Sequence, residues 1–487
     1  MASSETRHSR VSDKLIYWSA TVYAIVCAIA IASENLFLLG IPVALAIVLL
    51  AIYRMDLMLL LCVALTPFSL NLQQTSIGIG VSLPSEPLMF GLLLIFLARQ
   101  LFYRDLDKSL LLHPVSIAIL LHLAWMLVSS ITSTMPLVSL KATLARICFV
   151  GVFFYLTATL FKQKEKINLF IWCYTIPLLG VIFYTTTIHA IEGFTEKAAH
   201  WAMSPFYNDH TAYAAVIAMF IPVMLGFIDD QNKSKRFRIT CFFVLSVMVG
   251  AIVLSYTRAA WVSLVAALLC YLVFALRIKT SIVVGAAFAF VALVLLNWTT
   301  IQMELERNEE QSSTDYASHV QSVSNITTDA SNVERINRWG SAIRMFAEKP
   351  ILGWGPGTYM FQYAPFQKFS ERTIISTNFG EGGNAHSEYI GALAEQGILG
   401  SLFFILILLV VVYRASRIII HSKDRQVRMA TKGLLLGLVT YWVHGTLNNF
   451  LDTEKASVPY WGFIAAIVAL DLYHSRKTNL PKEKQLS

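Results

Sequence analysis

Two side chains separated by one residue have the chemistry to move a proton. His386 precedes Glu388 by two positions, near the expected N-terminus of a helix. Because an imidazole titrates near neutral pH, His386 is a candidate general base, although an isolated histidine is more often structural. The pair could also be part of a metal site, but the sequence has no third ligand at a suitable spacing. Spacing alone leaves two interpretations open: a structural histidine, or a base that acts without a metal or another cofactor.

Three arginines are candidates for binding an anion. Arg258 lies between two apolar runs with no neighbouring acid, and Arg335 and Arg338 are three residues apart in a long polar segment. A guanidinium binds phosphate oxygens through paired hydrogen bonds, so these residues predict a phosphate site. Two simpler interpretations stay open: Arg258 could reach lipid headgroups, and the other two could line a solvated helix face. Asp209 and His210 open another apolar run and are further substrate-binding candidates.

The composition indicates what kind of protein must position these groups. Hydrophobic residues make up 56% of the 487 residues and charged residues only 14%, and the mean hydropathy is +0.61. Soluble domains carry about 25% charged residues, which excludes an ordinary soluble enzyme. The six cysteines all lie in apolar runs, which excludes a disulfide framework. We therefore predict an all-α integral membrane protein, because the apolar runs are too long for barrel strands.

The apolar runs predict about 14 transmembrane helices, within a range of about 12–14. They lie near 15–32, 36–53, 55–69, 87–103, 114–131, 142–161, 167–189, 210–228, 237–256, 258–276, 280–298, 398–413, 430–447 and 457–473. Lys and Arg concentrate in alternate short loops, which places both termini in the cytoplasm. We predict that the first run is an uncleaved helix, since it is long for the core of a signal peptide.

This topology predicts three regions. Residues 1–298 form an N-terminal membrane domain of about eleven spans, 299–397 a large loop outside the cytoplasm, and 398–487 about three more spans with a basic cytoplasmic tail. All the candidate residues then lie on the outer side of the membrane. The one Asp-x-Asp pattern, at 105–107, lies on the cytoplasmic side, so a magnesium-bridged diphosphate is not indicated. We find no Walker loop and no dinucleotide fingerprint, and we expect no nucleic-acid partner.

The long loop contains its own helix signals. Its first part, 304–330, is polar and predicted to be mobile. A single apolar stripe then predicts a helix with Asn332 as its N-cap and Pro350 beyond its end. The stripe consists of Val333, Ile336, Trp339, Ile343 and Phe346.

Glycines mark the remainder of the loop. The three glycines in 353–357 predict a tight turn. A second helix is expected to begin near Asn384 and to run to Gln396. Gly397 then suits the left-handed position that ends a helix, just before the next span.

Six motifs follow one another around this loop, and together they resemble the O-antigen ligase and polymerase family of bacterial inner-membrane glycan transferases. The similarity covers roughly residues 205–465, whereas 1–200 match only as apolar spans. The motifs are Phe-Tyr-Asn-Asp-His at 206–210, Ser-Tyr-Thr-Arg-Ala-Ala-Trp at 255–261, Arg-Ile-Asn-Arg-Trp at 335–339, Pro-Ile-Leu-Gly-Trp-Gly-Pro-Gly at 350–357, Asn-Ala-His-Ser-Glu-Tyr at 384–389 and Glu-Gln-Gly-Ile-Leu-Gly at 395–400.

The resemblance implies a fold of the membrane glycosyltransferase C type and an inverting, metal-independent transfer at the periplasmic face. It implies that Arg258 engages the diphosphate of an undecaprenyl-linked glycan and that His386 acts on the acceptor hydroxyl. The donor enters sideways from the membrane lipid, and no nucleotide is needed on that face. The expected substrate-binding residues are Arg335, Arg338, His210, Asp209 and Glu388.

The acceptor stays open at this stage. Lipid A core would make the protein an O-antigen ligase, a second lipid-linked repeat a polymerase, and an exported protein hydroxyl an O-oligosaccharyltransferase. We favour the ligase-like interpretation. A transporter or flippase of lipid-linked sugars is the alternative from another class, but the predicted spans carry few of the mid-membrane ionisable groups that transporters use.

Overall fold

The structure is a computed structural model, and it describes most of the chain after its first segment. The described residues are 40–71, 81–104, 106–279, 330–371, 376 and 383–475, with single positions or short runs in 18–32 and 282–297. Two predicted spans, 15–32 and 280–298, lie largely outside these residues, and so does the polar stretch expected to be mobile. The chain divides into two compact units, Met1–Leu61 and Cys62–Ser487.

The described residues are helical apart from one short antiparallel pair, β1 (Leu70–Asn71) and β2 (Ser82–Leu83). The principal helices are α1 (Gly40–Tyr53), α2 (Met55–Leu65), α3 (Ser85–Tyr103), α4 (Pro114–Ile131), α5 (Pro136–Leu160), α6 (Glu165–Ile191), α7 (His210–Asp229), α8 (Lys235–Leu254), α9 (Arg258–Ala275), α10 (Ala330–Glu348), α11 (Glu388–His421), α12 (Arg425–His444) and α13 (Glu454–His474).

These helices establish an all-α, multi-pass membrane protein. Among the described residues, nine helices are long and apolar enough to cross a membrane: α3 to α9, α11 and α13. Helix α12 is also 20 residues long, but it begins with Arg425, Arg428 and Lys432. The predicted third span, 55–69, is short as expected, since its apolar helix runs only from Met55 to Phe68. The number fourteen stays a prediction, because two of the predicted spans are not fully described.

The first unit contains α1 and the start of α2. Helix α1 is apolar at every position, as expected where no side of a helix faces water. Between the two helices, Arg54 donates to Asp56 over 3.2 Å. This exposed pair separates two apolar helices that follow each other directly in the chain.

The second unit is built around α7 and α13, the two helices with the largest buried share. Helix α12 packs closely on α7 because Gly433 and Gly437 face its backbone. A Cβ at Gly433 would lie 3.2 Å from the carbonyl oxygen of Pro222, and one at Gly437 would meet the carbonyl of Met219. Small residues at positions four apart allow the backbones of two membrane helices to come into contact. Helix α9 packs on α12 and has the smallest buried share of the nine.

Helix α10 confirms the helix predicted from the apolar stripe, but it begins at Ala330 rather than after Asn332. The N-cap prediction was therefore wrong, and Asn332 lies in the first turn. The next predicted helix also begins later than expected, at Glu388, because Ser387 is its cap. The Ser387 hydroxyl accepts hydrogen bonds from the backbone N–H groups of Tyr389 and Ile390.

The glycine-rich turn is confirmed and fastens the loop to α11. Gly353, Gly355 and Gly357 all have positive φ, where a side chain would be strained. The backbone N–H of Gly355 donates to the Glu395 carbonyl over 2.7 Å. Gly397 also has a positive φ of 67°, although its ψ of −169° is extended. Helix α11 is therefore kinked at Gly397, its tenth residue, and the long apolar part of the helix follows directly.

The helices of the second unit have two ends that differ in content. We call the end formed by 131–136, 205–210, 255–258, 384–388 and 444–454 the loop end, since the segment around α10 packs there. The opposite end, formed by 104–113, 161–165, 229–235 and 421–425, is called the tail end. Contacts between distant segments join residues of the same end, as between Lys164 and Asp424 at 2.9 Å. This agrees with the alternation predicted from the loop charges.

Candidate active site

His386 lies at the loop end in a backbone conformation that side chains rarely adopt. Its φ is +47°, and its N–H donates to the Asn384 side-chain oxygen over 3.1 Å. Asn384 thus stabilises a turn just before the Ser387 cap, and together they direct one residue out of the helix start. Among the described residues, no group makes a hydrogen bond with the His386 ring. A strained backbone and an uncommitted imidazole are typical of a functional position.

The surroundings of His386 keep its imidazole neutral. Burial lowers the pKa of His386 to about 4, and the positive charges of Arg335 and Arg338 lower it further than the carboxylates of Asp209 and Glu334 raise it. At pH 7 the ring therefore has a free lone pair and can accept a proton. Asp209, Arg335 and Arg338 are therefore near enough to His386 for their charges to shift its pKa.

The two loop arginines have different roles in this structure. Arg338 is buried, and its Nε donates to Glu334 over 2.8 Å while its Nη1 donates to the Asn384 carbonyl over 3.1 Å. It also lies over the Tyr363 ring, 5.2 Å from the centroid. Arg338 therefore holds the turn that carries His386. Arg335 is only half-buried, and its Nε donates to the Leu447 carbonyl over 3.2 Å.

Arg258 is the first residue of α9. Its guanidinium is half-buried and has no hydrogen bond or ion pair with any residue that the structure describes. Just before it, the Thr257 hydroxyl donates to the His210 carbonyl over 3.2 Å. This contact holds the start of α9 against the start of α7. A helix N-terminus and an unengaged guanidinium together favour an anion.

Asp209 and His210 open α7 at the same end. The Asp209 carboxylate caps the helix and accepts from the backbone N–H groups of Thr211 and Ala212 at 2.7 and 2.8 Å. The His210 ring lies 4.2 Å from the His200 ring. Asp209 therefore has an evident structural role, whereas His210 faces a second histidine.

Glu388 connects α11 to the segment between α12 and α13. Its Oε1 accepts from the Tyr441 hydroxyl at 2.6 Å and from the N–H groups of Phe450 and Leu451, both at 2.9 Å. This carboxylate positions backbone, so a direct contact with substrate is not needed to explain it. The sequence analysis expected Glu388 to bind substrate, and that role stays a prediction.

A cavity of about 450 Å³ lies beside this cluster, between α4, α5 and the first part of α11. Ala385 and Ser387 line it, whereas His386 between them does not. The charged residues that line this cavity are Lys141, Arg146, Glu388, Glu395 and Asp452. The sequence analysis did not identify them as one site. One signal was present, since Arg146 is a charged residue inside the predicted span 142–161.

A buried histidine on α12 is a further residue of the cluster that spacing did not identify. His444 is near enough to Asp209, Arg335 and His210 to interact with them electrostatically. Its Nε2 is 3.1 Å from Asn448 Nδ2, and its Nδ1 has no partner among the described residues. Within those residues, no three His, Cys, Asp or Glu side chains gather as a metal site.

The loop-end cluster thus contains candidates from five separate segments of the chain: 209–210, 258, 335–338, 386–388 and 444. Residues 241–405 match the family model described as O-antigen ligase. Over this segment the chain is similar to the O-antigen ligase family. The match begins in α8 and ends in α11, so the family segment includes Arg258, Arg335, Arg338, His386 and Glu388. No curated protein matches the chain closely enough to add a relative.

The O-antigen ligase segment covers about a third of the chain, and the rest of the site comes from outside it. Asp209 and His210 precede the match, as does Arg146 in the cavity, while His444 follows it. The family assignment therefore accounts for the histidine and arginines that the motifs suggested. The cavity residues need an argument from the structure itself.

Proposed function

We propose that this protein transfers a glycan from undecaprenyl diphosphate to an acceptor hydroxyl at the periplasmic face of the bacterial inner membrane. The family indicates glycan transfer of the O-antigen ligase type. The observation that carries the proposal is the presence, at one end of the bundle, of two groups that no described residue engages: the neutral His386 imidazole and the Arg258 guanidinium. One group can accept a proton while the other neutralises a leaving diphosphate.

In the proposed reaction, a nitrogen of the His386 ring takes the proton of the acceptor hydroxyl. The hydroxyl oxygen attacks the anomeric carbon, and the bond from that carbon to the diphosphate oxygen breaks. The electron pair leaves with undecaprenyl diphosphate, whose growing negative charge is stabilised by Arg258 and assisted by Arg335. Attack opposite the leaving group inverts the anomeric configuration. The energy comes from the donor, and the mechanism uses no metal or nucleotide.

Arg338 and Glu388 act as positioning residues in this scheme. Arg338 holds the backbone of Asn384, and Glu388 holds the backbone of Phe450 and Leu451. Both therefore fix elements that present the reacting groups. We further propose a fold of the glycosyltransferase C type, in which a loop packs over a multi-helix membrane domain.

A reconstitution of the purified full chain tests the proposal. Supplied with a defined undecaprenyl diphosphate-linked glycan, it should transfer that glycan to lipid A core, to a second lipid-linked repeat or to a protein hydroxyl. We expect lipid A core to be used best. Transfer that survives EDTA would support the metal-independent mechanism, whereas loss of transfer restored by Mg²⁺ would contradict it.

The same assay separates an enzyme from a transporter of lipid-linked sugars. In detergent there are no compartments, so a transporter has no measurable turnover. The protein in detergent should still release undecaprenyl diphosphate when an acceptor is present. If release requires sealed vesicles, the enzyme proposal is wrong.

A further inference from the structure

The cavity beside His386 contains charged groups that do not pair with one another. Arg146 is half-buried, and its Nη1 is fully buried without a hydrogen-bond partner among the described residues. It forms no ion pair with any described carboxylate, although Glu395 and Asp452 line the same cavity. An isolated guanidinium in such a place is costly unless something compensates it. The space between these groups therefore suits a polar ligand.

Two carboxylates of the cavity, Glu388 and Glu395, accept hydrogen bonds within the protein. Glu388 uses its Oε1 for three donors, and no described group donates to its Oε2. Glu395 accepts from the Tyr359 N–H over 3.0 Å. The Asp452 side chain is exposed and lines the cavity. The cavity thus offers acceptors on some walls and a strong donor on another.

This mixture of charges selects the chemistry of the ligand. The lining carries groups of both signs, since Glu388, Glu395 and Asp452 lie in the same cavity as Lys141 and Arg146. A sugar hydroxyl both donates and accepts, so a pyranose can bind carboxylates and a guanidinium at once. Aromatic side chains provide apolar walls, as in most ligand pockets of this size. They belong to Phe149, Tyr359, Phe361 and Phe404.

We propose that this cavity is a binding site for a neutral sugar unit of the glycan substrate, with Arg146 and Asp452 as its hydrogen-bonding residues. The inference rests on the proposed function, since it assigns a place to a part of that substrate. Ala385 and Ser387 line the cavity, so a sugar held there lies next to the two residues that flank His386. The sugar belongs to the acceptor or to the donor, and the experiment distinguishes these sources.

The test measures steady-state transfer by the full chain in detergent while each substrate is varied in turn. Arg146→Met keeps the apolar stem but removes the donors, and Ala145→Phe fills the cavity without changing its charge. A group that binds substrate and transition state equally affects KM and leaves kcat unchanged. We expect a KM roughly 10- to 100-fold higher for one substrate, as for the loss of a charged hydrogen bond. Asp452→Asn should give a smaller rise for the same substrate.

The substrate whose KM rises identifies the source of the sugar. A higher acceptor KM with an unchanged donor KM assigns the cavity to the acceptor, and the reverse assigns it to the donor. Arg236→Gln is the matched control, because it removes an exposed arginine at the tail end. Unchanged KM values in folded Arg146→Met and Ala145→Phe would overturn the proposal, and so would a fall in kcat alone. If Arg146→Met does not fold, Asp452→Asn and Ala145→Phe decide.

A binding measurement keeps this inference separate from the proposed function. The free glycans released from donor and acceptor by mild acid serve as probes in ligand-observed NMR with the wild-type protein. We expect saturation transfer to one of these glycans and its loss in Ala145→Phe. Binding without any transfer by the wild type would contradict the proposed reaction only. Transfer with no binding effect and unchanged KM values would contradict the cavity assignment only.

Discussion

Two sets of ionisable residues, one at each end of the second unit, are engaged to different extents. At the tail end, Asp471 accepts from Arg414 Nε over 2.6 Å and lies 3.1 Å from His113 Nε2. At the loop end, His386 and Arg258 have no partner among the described residues. Paired charges hold helices together, whereas uncommitted charges are costly to the fold and available to a substrate. The comparison indicates which charged residues stabilise and which react.

The largest effect should come from the base. His386→Ala should lower single-turnover transfer by roughly 10²–10⁴-fold, the usual contribution of general-base catalysis. Donor binding should be near normal, because the imidazole acts on the acceptor. His421→Ala is the matched control, since this exposed histidine lies at the tail end. Near wild-type turnover in His386→Ala would exclude the histidine as the base.

A smaller loss is expected at the anion site. Arg258→Ala removes hydrogen bonds to the diphosphate that strengthen in the transition state, so donor affinity and turnover should both fall. The loss should be about 2–4 kcal/mol, or roughly 30- to 1000-fold. Arg258→Lys should recover little of it, because an ammonium lacks the planar fork. Unchanged donor affinity in Arg258→Ala would return this residue to a role at the lipid surface.

The rate should change little between pH 8 and pH 5. Protonation removes the lone pair of His386, and its pKa of about 4 puts the half-maximal rate near pH 4. Arg335→Met removes a positive charge that lowers this pKa, so the acid limb should move to higher pH. The measurement is single-turnover rate against pH at saturating donor. A midpoint that stays the same in Arg335→Met would contradict the electrostatic account.

The smallest effect on catalysis is expected at the tail end. Arg414→Met leaves Asp471 with only His113, and both side chains of the broken pair are about one-eighth exposed. Stability should fall by about 1–3 kcal/mol, measured as a lower thermal midpoint in detergent. Transfer per folded molecule should stay within about twofold of wild type. Lys164→Met is the control, since its more exposed pair with Asp424 should contribute only about 0–1 kcal/mol. A large loss of transfer in folded Arg414→Met would break the comparison.

Features that depend on near neighbours in the chain were predictable from the sequence. The apolar stripe around Trp339 identified α10, and the glycines of 353–357 identified the turn, since both signals act over a few residues. The exact helix starts were not predictable. Asn332 could have capped α10, but a polar residue is also allowed in a first turn. Asn384 could have opened α11, but its side chain instead stabilises the turn at His386.

Features that depend on distant parts of the chain could not be predicted. The cavity forms where α4 and α5 meet α11, which begins more than 200 residues after α5 ends. Arg146 gave the one local signal, but spacing alone does not show which side of a helix faces a neighbour. The roles of Arg338 and Glu388 were also hidden, because their partners are set by packing rather than by spacing.

The contacts of Arg335 and Glu388 have a consequence for the order of biosynthesis. Arg335 donates to Leu447, and Glu388 accepts from Phe450 and Leu451, which follow α12. A chain made from its N-terminus contains Arg258 and His386 long before these partners emerge from the ribosome. These contacts can therefore form only after α12 and the residues that follow it have been made. We expect a chain that ends before Leu447 to lack the proposed transfer activity.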